Sequence, residues 1–213
     1  MTSTTLTMKK IRATGCLSDL EDLAHYVNYT LRRPEDTPVS LTEIRKAIGA
    51  ESALWCIQAI DDSYMPIIRK WALHHVVDVK HILSDKRSLR ALETAEQYVS
   101  GKATDDDLAA AFNEAANVVH TDHPPSGAAY YAAEAAYAVA AANSCIDLFA
   151  YAVINASLAL AHEAAHNARD FGEIPKGNPY EFASAVNDEY KERIKAAFDR
   201  LVDAVATTRE GTE

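Results

Sequence analysis

The stretch AAYYAAEAAYAVAAA, residues 128–142, decides the fold class because it is built almost entirely from alanine and tyrosine. Alanine is the strongest helix former, and the stretch holds a single β-branched residue, Val139. Small side chains also allow two helix axes to approach more closely than the usual distance of about 8–10 Å. We therefore predict a helix here that packs closely against a second alanine-rich helix, which runs to about Asp170.

Helix-start signals recur along the rest of the chain. A Ser or Thr N-cap followed three residues later by an acid, as in Ser40 with Glu43 and Thr104 with Asp107, satisfies free backbone N–H groups. The 213 residues include only seven glycines and seven prolines, and no linker-like segment divides them. We predict an all-α fold, a single-domain multi-helix bundle with closely packed alanine-rich helices over residues 1–213. Residues 1–17 and 208–213 are predicted to be flexible.

Charge and composition limit the classes of function. A formal net charge of −10 repels nucleic-acid phosphates and attracts basic surfaces. Residues 1–10 lack the apolar run of a secretory signal, and polar residues interrupt the apolar segment 128–161, so neither export nor a membrane span is indicated. Cys16, Cys56 and Cys145 are widely spaced and form no CxxC pair, which favours a reducing compartment. We expect a cytoplasmic protein that binds no nucleic acid directly.

The motif HEAAH, an HExxH at residues 162–166, is the sharpest local signal of chemistry. On a helix, His162 and His166 would share one face and could bind zinc, with Glu163 as general base. A third ligand would have to come from Glu189 or Asp170. This motif predicts a zinc-dependent hydrolase as the alternative function, and zinc is the cofactor that this alternative would need.

A second group of possible ligands is His74, Asp78 and His81, whose spacing on a helix would place two imidazoles and a carboxylate on one face. The same spacing is typical of a solvated face on which Asp78 pairs with either histidine. If this face met His162 and His166 in the fold, the two groups would form a shared metal site.

Three tyrosines, Tyr130, Tyr131 and Tyr137, have two open interpretations. Tyrosine supplies rigid contact area in protein interfaces, which favours a binding surface. On an alanine-rich helix the same rings could instead fill gaps between helix backbones.

A resemblance to a known family rests on two stretches. The segment AIGAESALW, residues 47–55, is followed by DKRSLRALETAEQY, residues 85–98, and then by Gly101, Thr104 and alanine-rich helices that contain histidines. In this order the chain resembles the immunity-protein-like family of alanine-rich helical proteins from bacteria and phages. The resemblance implies an immunity or inhibitor role, directed at a toxin or a host-defence factor.

These observations lead to one functional prediction with one alternative. We predict a non-enzymatic helical binding protein that needs no cofactor and that neutralises or modulates another protein. Its acidic surface would favour a basic partner such as a nuclease, and a homo-oligomer is compatible with this role. The alternative is the zinc-dependent hydrolase with His162, Glu163 and His166.

Overall fold

The computed structural model describes residues 5–15, 20–25, 27–28, 32–121, 125, 127–141, 147–170 and 179–210. These described residues contain nine α-helices and two strands of two residues each. The strands are β1 (Thr5–Leu6) and β2 (Val39–Ser40). The helices are α1 (Met8–Thr14), α2 (Leu20–His25), α3 (Leu41–Trp55), α4 (Met65–Val77), α5 (Lys86–Val99), α6 (Asp105–Val119), α7 (Ala128–Ala141), α8 (Asp147–Asp170) and α9 (Pro179–Glu210). The predicted all-α fold class is confirmed.

The N-terminal segment forms regular structure. Leu6 of β1 pairs antiparallel with Val39 of β2, and α1 follows with Thr7 as its N-cap. The side chains of Leu6, Met8 and Ile11 are each at most 1% exposed. Three buried apolar side chains therefore anchor residues 5–15, and the flexibility of residues 1–17 stays a prediction. At the other end of the chain α9 continues to Glu210.

Local signals position the helix ends as the sequence predicts. Both predicted capping boxes form, since the Ser40 hydroxyl accepts from the Glu43 amide at 3.2 Å and Thr104 does the same with Asp107. Gly49 has a φ of 82°, which breaks α3 into two helical pieces. The sequence carries further helix-start signals at Ser18, Ser144 and Asn178, and these residues lie outside the described ones.

The chain divides into two compact units, Met1–Ile68 with Phe198–Glu213, and Arg69–Ala197. In the first unit, α1 contacts the 3-10 helix Cys56–Ala59, and α2 contacts α3. The Arg45 guanidinium also lies over the Phe198 ring, 5.6 Å from its centroid. The prediction of one domain over residues 1–213 stays a prediction.

The second unit is built around α7. This helix contacts α5, α6 and α8, and its residues 132–136 and 138–141 are buried. Most of these buried side chains are single methyl groups, so the neighbouring helices pack against α7 with little side chain between them. The predicted close packing of the alanine-rich helices is confirmed.

The C-terminal helix α9 buries one stripe of apolar side chains. Val186 and Ile194 are buried in the second unit, and Phe198, Leu201 and Val205 are buried in the first. Val186 packs against Ala161 and Ala165 of α8. Within the second unit the Trp71 indole also donates a hydrogen bond to the Ala197 carbonyl of α9 at 3.0 Å.

One helix among the described residues is long and apolar enough to cross a membrane by length and composition. It comprises residues Leu148–Asp170, with a mean hydropathy of 1.3, and 61% of its most apolar window is buried inside the protein. That degree of burial is typical of a core helix.

Candidate functional site

The first residue of the HExxH motif, His162, lies half-buried on α8 between two aromatic rings. Its imidazole stacks on Tyr131 of α7, with centroids 5.1 Å apart, and is tilted against Phe182 of α9 at 6.1 Å. Burial lowers the pKa of His162 below its ordinary value of 6.5, and the nearby His166 lowers it further. The neutral imidazole is therefore the form that this aromatic environment favours.

The second histidine of the motif is engaged by an arginine. Arg169 Nη2 lies 3.2 Å from His166 Nδ1, and the His166 ring meets the edge of Phe182 at 4.9 Å. A guanidinium only donates hydrogen bonds, so Nδ1 of His166 is the acceptor and Nε2 of a neutral ring carries the proton. A cationic group in contact with the ring also repels a divalent metal ion.

The glutamate of the motif pairs with a histidine from another part of the chain. His81 Nε2, on the 3-10 helix Lys80–Ile82, lies 3.0 Å from Glu163 Oε1 and 2.9 Å from Oε2. Glu163 and His81 are thus partners in a surface ion pair when the imidazole is protonated.

The structure does not bring the predicted third ligands together with the two histidines. Glu189 pairs with Arg193 one turn along α9 at 2.6 Å, and Asp170 is exposed at the end of α8. In the part of the chain that the structure describes, no three His, Cys, Asp or Glu side chains form a group that could hold a metal ion.

The second predicted group of metal ligands does not form on one helix either. Because α4 ends at Val77, the residues His74, Asp78 and His81 do not share one helix face, and that prediction is wrong. One contact joins the two groups, since His81 pairs with Glu163 of the motif rather than with His162 or His166.

A different carboxylate occupies the more unusual environment. Glu134 of α7 is only 4% exposed, and the Tyr151 hydroxyl of α8 donates to its Oε2 at 3.2 Å. A hydrogen bond to Glu134 and burial raise the pKa of the Tyr130 phenol to about 12. Burial, followed by the charge of Glu134, also raises the pKa values of Tyr137 and Tyr151.

In the sequence, Glu134 is one of the polar residues that interrupt the apolar segment 128–161. The available signal was a single acid among alanines, with tyrosines four residues before it and three residues after it. That spacing puts Tyr130, Glu134 and Tyr137 on one face of α7.

The three tyrosines with open interpretations are all half-buried. Tyr137 stacks on Phe112 of α6 with centroids 4.6 Å apart, so this ring does fill space between helices. Each ring also keeps an accessible part, which leaves the interface interpretation open for Tyr130 and Tyr131.

Comparisons with models of protein families, with curated proteins and with solved structures find no match to this chain.

Proposed function

We propose that this protein is a non-enzymatic helical binding protein that neutralises or modulates a basic protein partner. The observation that carries the proposal is the state of the HExxH motif. His162, Glu163 and His166 each contact other side chains of the same protein, which supports a structural rather than a catalytic role for the motif.

Charge supports a basic partner. α6 begins with three exposed aspartates at residues 105–107 and contains no lysine, arginine or histidine. Asp107 is used in the capping box, whereas the negative field of all three extends into solvent. Together with a net charge of −10, this favours electrostatic steering toward a positively charged surface.

The zinc-dependent hydrolase has no comparable support. His166 contacts a guanidinium, and Glu163, the predicted general base, is bound to His81. The immunity-like resemblance stays a prediction, and the choice between a toxin and a host-defence factor as the target depends on it.

The test is affinity capture from an extract of the cells that produce the protein, with bound proteins quantified by mass spectrometry. The wild type is compared with Asp105→Asn/Asp106→Asn, which removes two surface charges and leaves the Asp107 cap intact. We expect one stoichiometric basic partner whose yield falls with added salt and falls further with the variant.

Lys191→Gln/Lys195→Gln is the matched control, because it removes two exposed charges of the opposite sign on α9. It should retain the partner at least as well as the wild type. Capture of no protein above the level of an empty resin, or equal yields from the wild type and the aspartate variant, would contradict the proposal.

A further inference from the structure

Glu134 is a nearly buried carboxylate without a positive partner. The residue is only 4% exposed, yet no lysine, arginine or histidine among the described residues forms an ion pair with it. Burying a carboxylate without a counter-charge is costly, so its environment requires an explanation.

Tyrosines form that environment. Tyr130 and Tyr137 lie one turn before and one turn after Glu134 on α7, and Tyr151 approaches from α8 with its hydroxyl 3.2 Å from Oε2. All three tyrosines are half-buried, so each keeps an accessible part, whereas Glu134 is only 4% exposed. Tyr137 is half-buried on α7 between the buried residues 132–136 and 138–141.

The combination of a carboxylate and aromatic faces suits a cation. A carboxylate binds a guanidinium through charge-assisted hydrogen bonds, and the faces of tyrosine rings attract the same cation. A partly desolvated site strengthens both interactions, because water no longer screens the charges. Tyrosine and arginine are also the residues that most often dominate the binding energy of protein interfaces.

We propose that Glu134, Tyr130, Tyr137 and Tyr151 form a recognition site for an arginine side chain of the basic partner. The inference rests on the proposed function and names the part of the surface that would carry it. The hydroxyls of Tyr130 and Tyr151 hydrogen-bond to the carboxylate when no partner is bound, and the arriving guanidinium takes their place. Bound arginine then supplies the positive partner that no described residue gives Glu134.

The test uses arginine amide as a probe, so it does not require the partner. Ring signals of 13C-tyrosine-labelled protein are followed by NMR during titration with arginine amide and, separately, with citrulline amide. Citrulline has nearly the same shape without the charge. We expect arginine amide to shift the signals of Tyr130, Tyr137 and Tyr151 with a Kd on the order of 10 mM or tighter, and citrulline amide to leave them unchanged.

Two variants identify the carboxylate responsible. Glu134→Gln preserves size and hydrogen-bonding capacity and should weaken arginine binding at least about tenfold, as expected from loss of a charge-assisted pair. Glu163→Gln removes a carboxylate that already has a histidine partner and should leave the shifts as in the wild type. The site is overturned if arginine amide shifts none of the three rings, if citrulline amide shifts them equally, or if Glu134→Gln binds as the wild type does.

These outcomes are separable from those of the capture experiment. If the wild type and Glu134→Gln capture the same partner equally, the arginine site is wrong and the binding function stands. If no partner is captured and arginine amide still binds in a Glu134-dependent way, the binding function is wrong and the site stands.

Discussion

Two glutamates on neighbouring helices of the second unit occupy opposite environments. Glu163 of α8 is half-exposed and paired with His81, whereas Glu134 of α7 is 4% exposed and surrounded by tyrosines. A surface carboxylate can exchange a protein partner for water at little cost, but a buried one depends on the few groups that the fold supplies. Glu134 is therefore the more unusual carboxylate, because it is buried and no described base pairs with it. Glu163, although it belongs to the HExxH motif, is the more ordinary of the two.

The largest expected effect is a difference in the free energy of unfolding between the alanine variants of the two glutamates. Glu134→Ala should lower the free energy of unfolding by about 2–3 kcal/mol, because it opens a cavity and removes the acceptor of the Tyr151 hydroxyl. Glu163→Ala should cost less than about 1 kcal/mol, the range for a surface pair. Urea unfolding followed by circular dichroism measures both.

Equal losses for the two alanine variants would remove the distinction between the two environments. Glu134→Gln is the control for shape, since the amide oxygen can still accept from Tyr151. Its free energy of unfolding should lie within about 1 kcal/mol of the wild-type value if hydrogen bonding and volume, rather than charge, hold the helices together.

The second prediction concerns the phenol of Tyr130. Its pKa is raised to about 12 chiefly because Glu134 hydrogen-bonds to the protonated form. Glu134→Gln removes the negative charge, so the pKa of Tyr130 should fall toward the ordinary value of 10.0. At about pH 11 the Tyr130 phenol should then be mainly protonated in the wild type and mainly ionised in the variant.

The 13Cζ chemical shift of Tyr130 reports this ionisation directly. Glu163→Gln is the matched control and should titrate as the wild type does. A Tyr130 phenol that ionises at the same pH in the wild type and in Glu134→Gln would contradict the assigned hydrogen bond.

The third prediction concerns the imidazole next to Glu163. Burial and His166 lower the pKa of His162 in the folded protein, so the unfolded chain binds the proton more readily. The stability contributed by the neutral ring is therefore fully present above the unfolded pKa of 6.5 and is lost as the pH falls through the lower folded value. The charged groups next to His162 and His166 are Glu163, on the same helix, and Arg169, which contacts His166.

His162→Phe keeps a ring between Tyr131 and Phe182 and removes the titration. Between about pH 7.5 and pH 5.5 the variant should lose less unfolding free energy than the wild type, as measured by urea unfolding at both values. The other histidines are the same in both proteins, so the difference between the two pH profiles reports on His162. Parallel pH profiles would show that the stacked ring does not resist protonation.

The sequence predicts the features that are encoded locally. The capping boxes at Ser40 and Thr104, the break at Gly49 and the buried stripe of α9 each depend on residues within a few turns of one another. The strand pairing at the start of the chain could not be predicted in the same way, because Leu6 pairs with Val39, far along the chain.

The candidate sites show the same limit. The HExxH spacing is visible in the sequence, but its chemistry is decided by His81, which is 82 residues away from Glu163, and by aromatic rings on α7 and α9. Likewise, the environment of Glu134 depends on Tyr151 from the next helix. Only the packing of helices against one another reveals which carboxylate is buried.

The smallest expected effect tests the Glu163 side of the comparison by itself. A double-mutant cycle of His81→Ala and Glu163→Ala should give a coupling energy of no more than about 1 kcal/mol, because the side chains are 57% and 35% exposed. The coupling should shrink in high salt, because both side chains are accessible to solvent and ions screen their charges. A coupling well above that range and insensitive to salt would mean that Glu163 depends on its partner as strongly as Glu134 does. The contrast between the two carboxylates would then have to come from charge compensation rather than from burial.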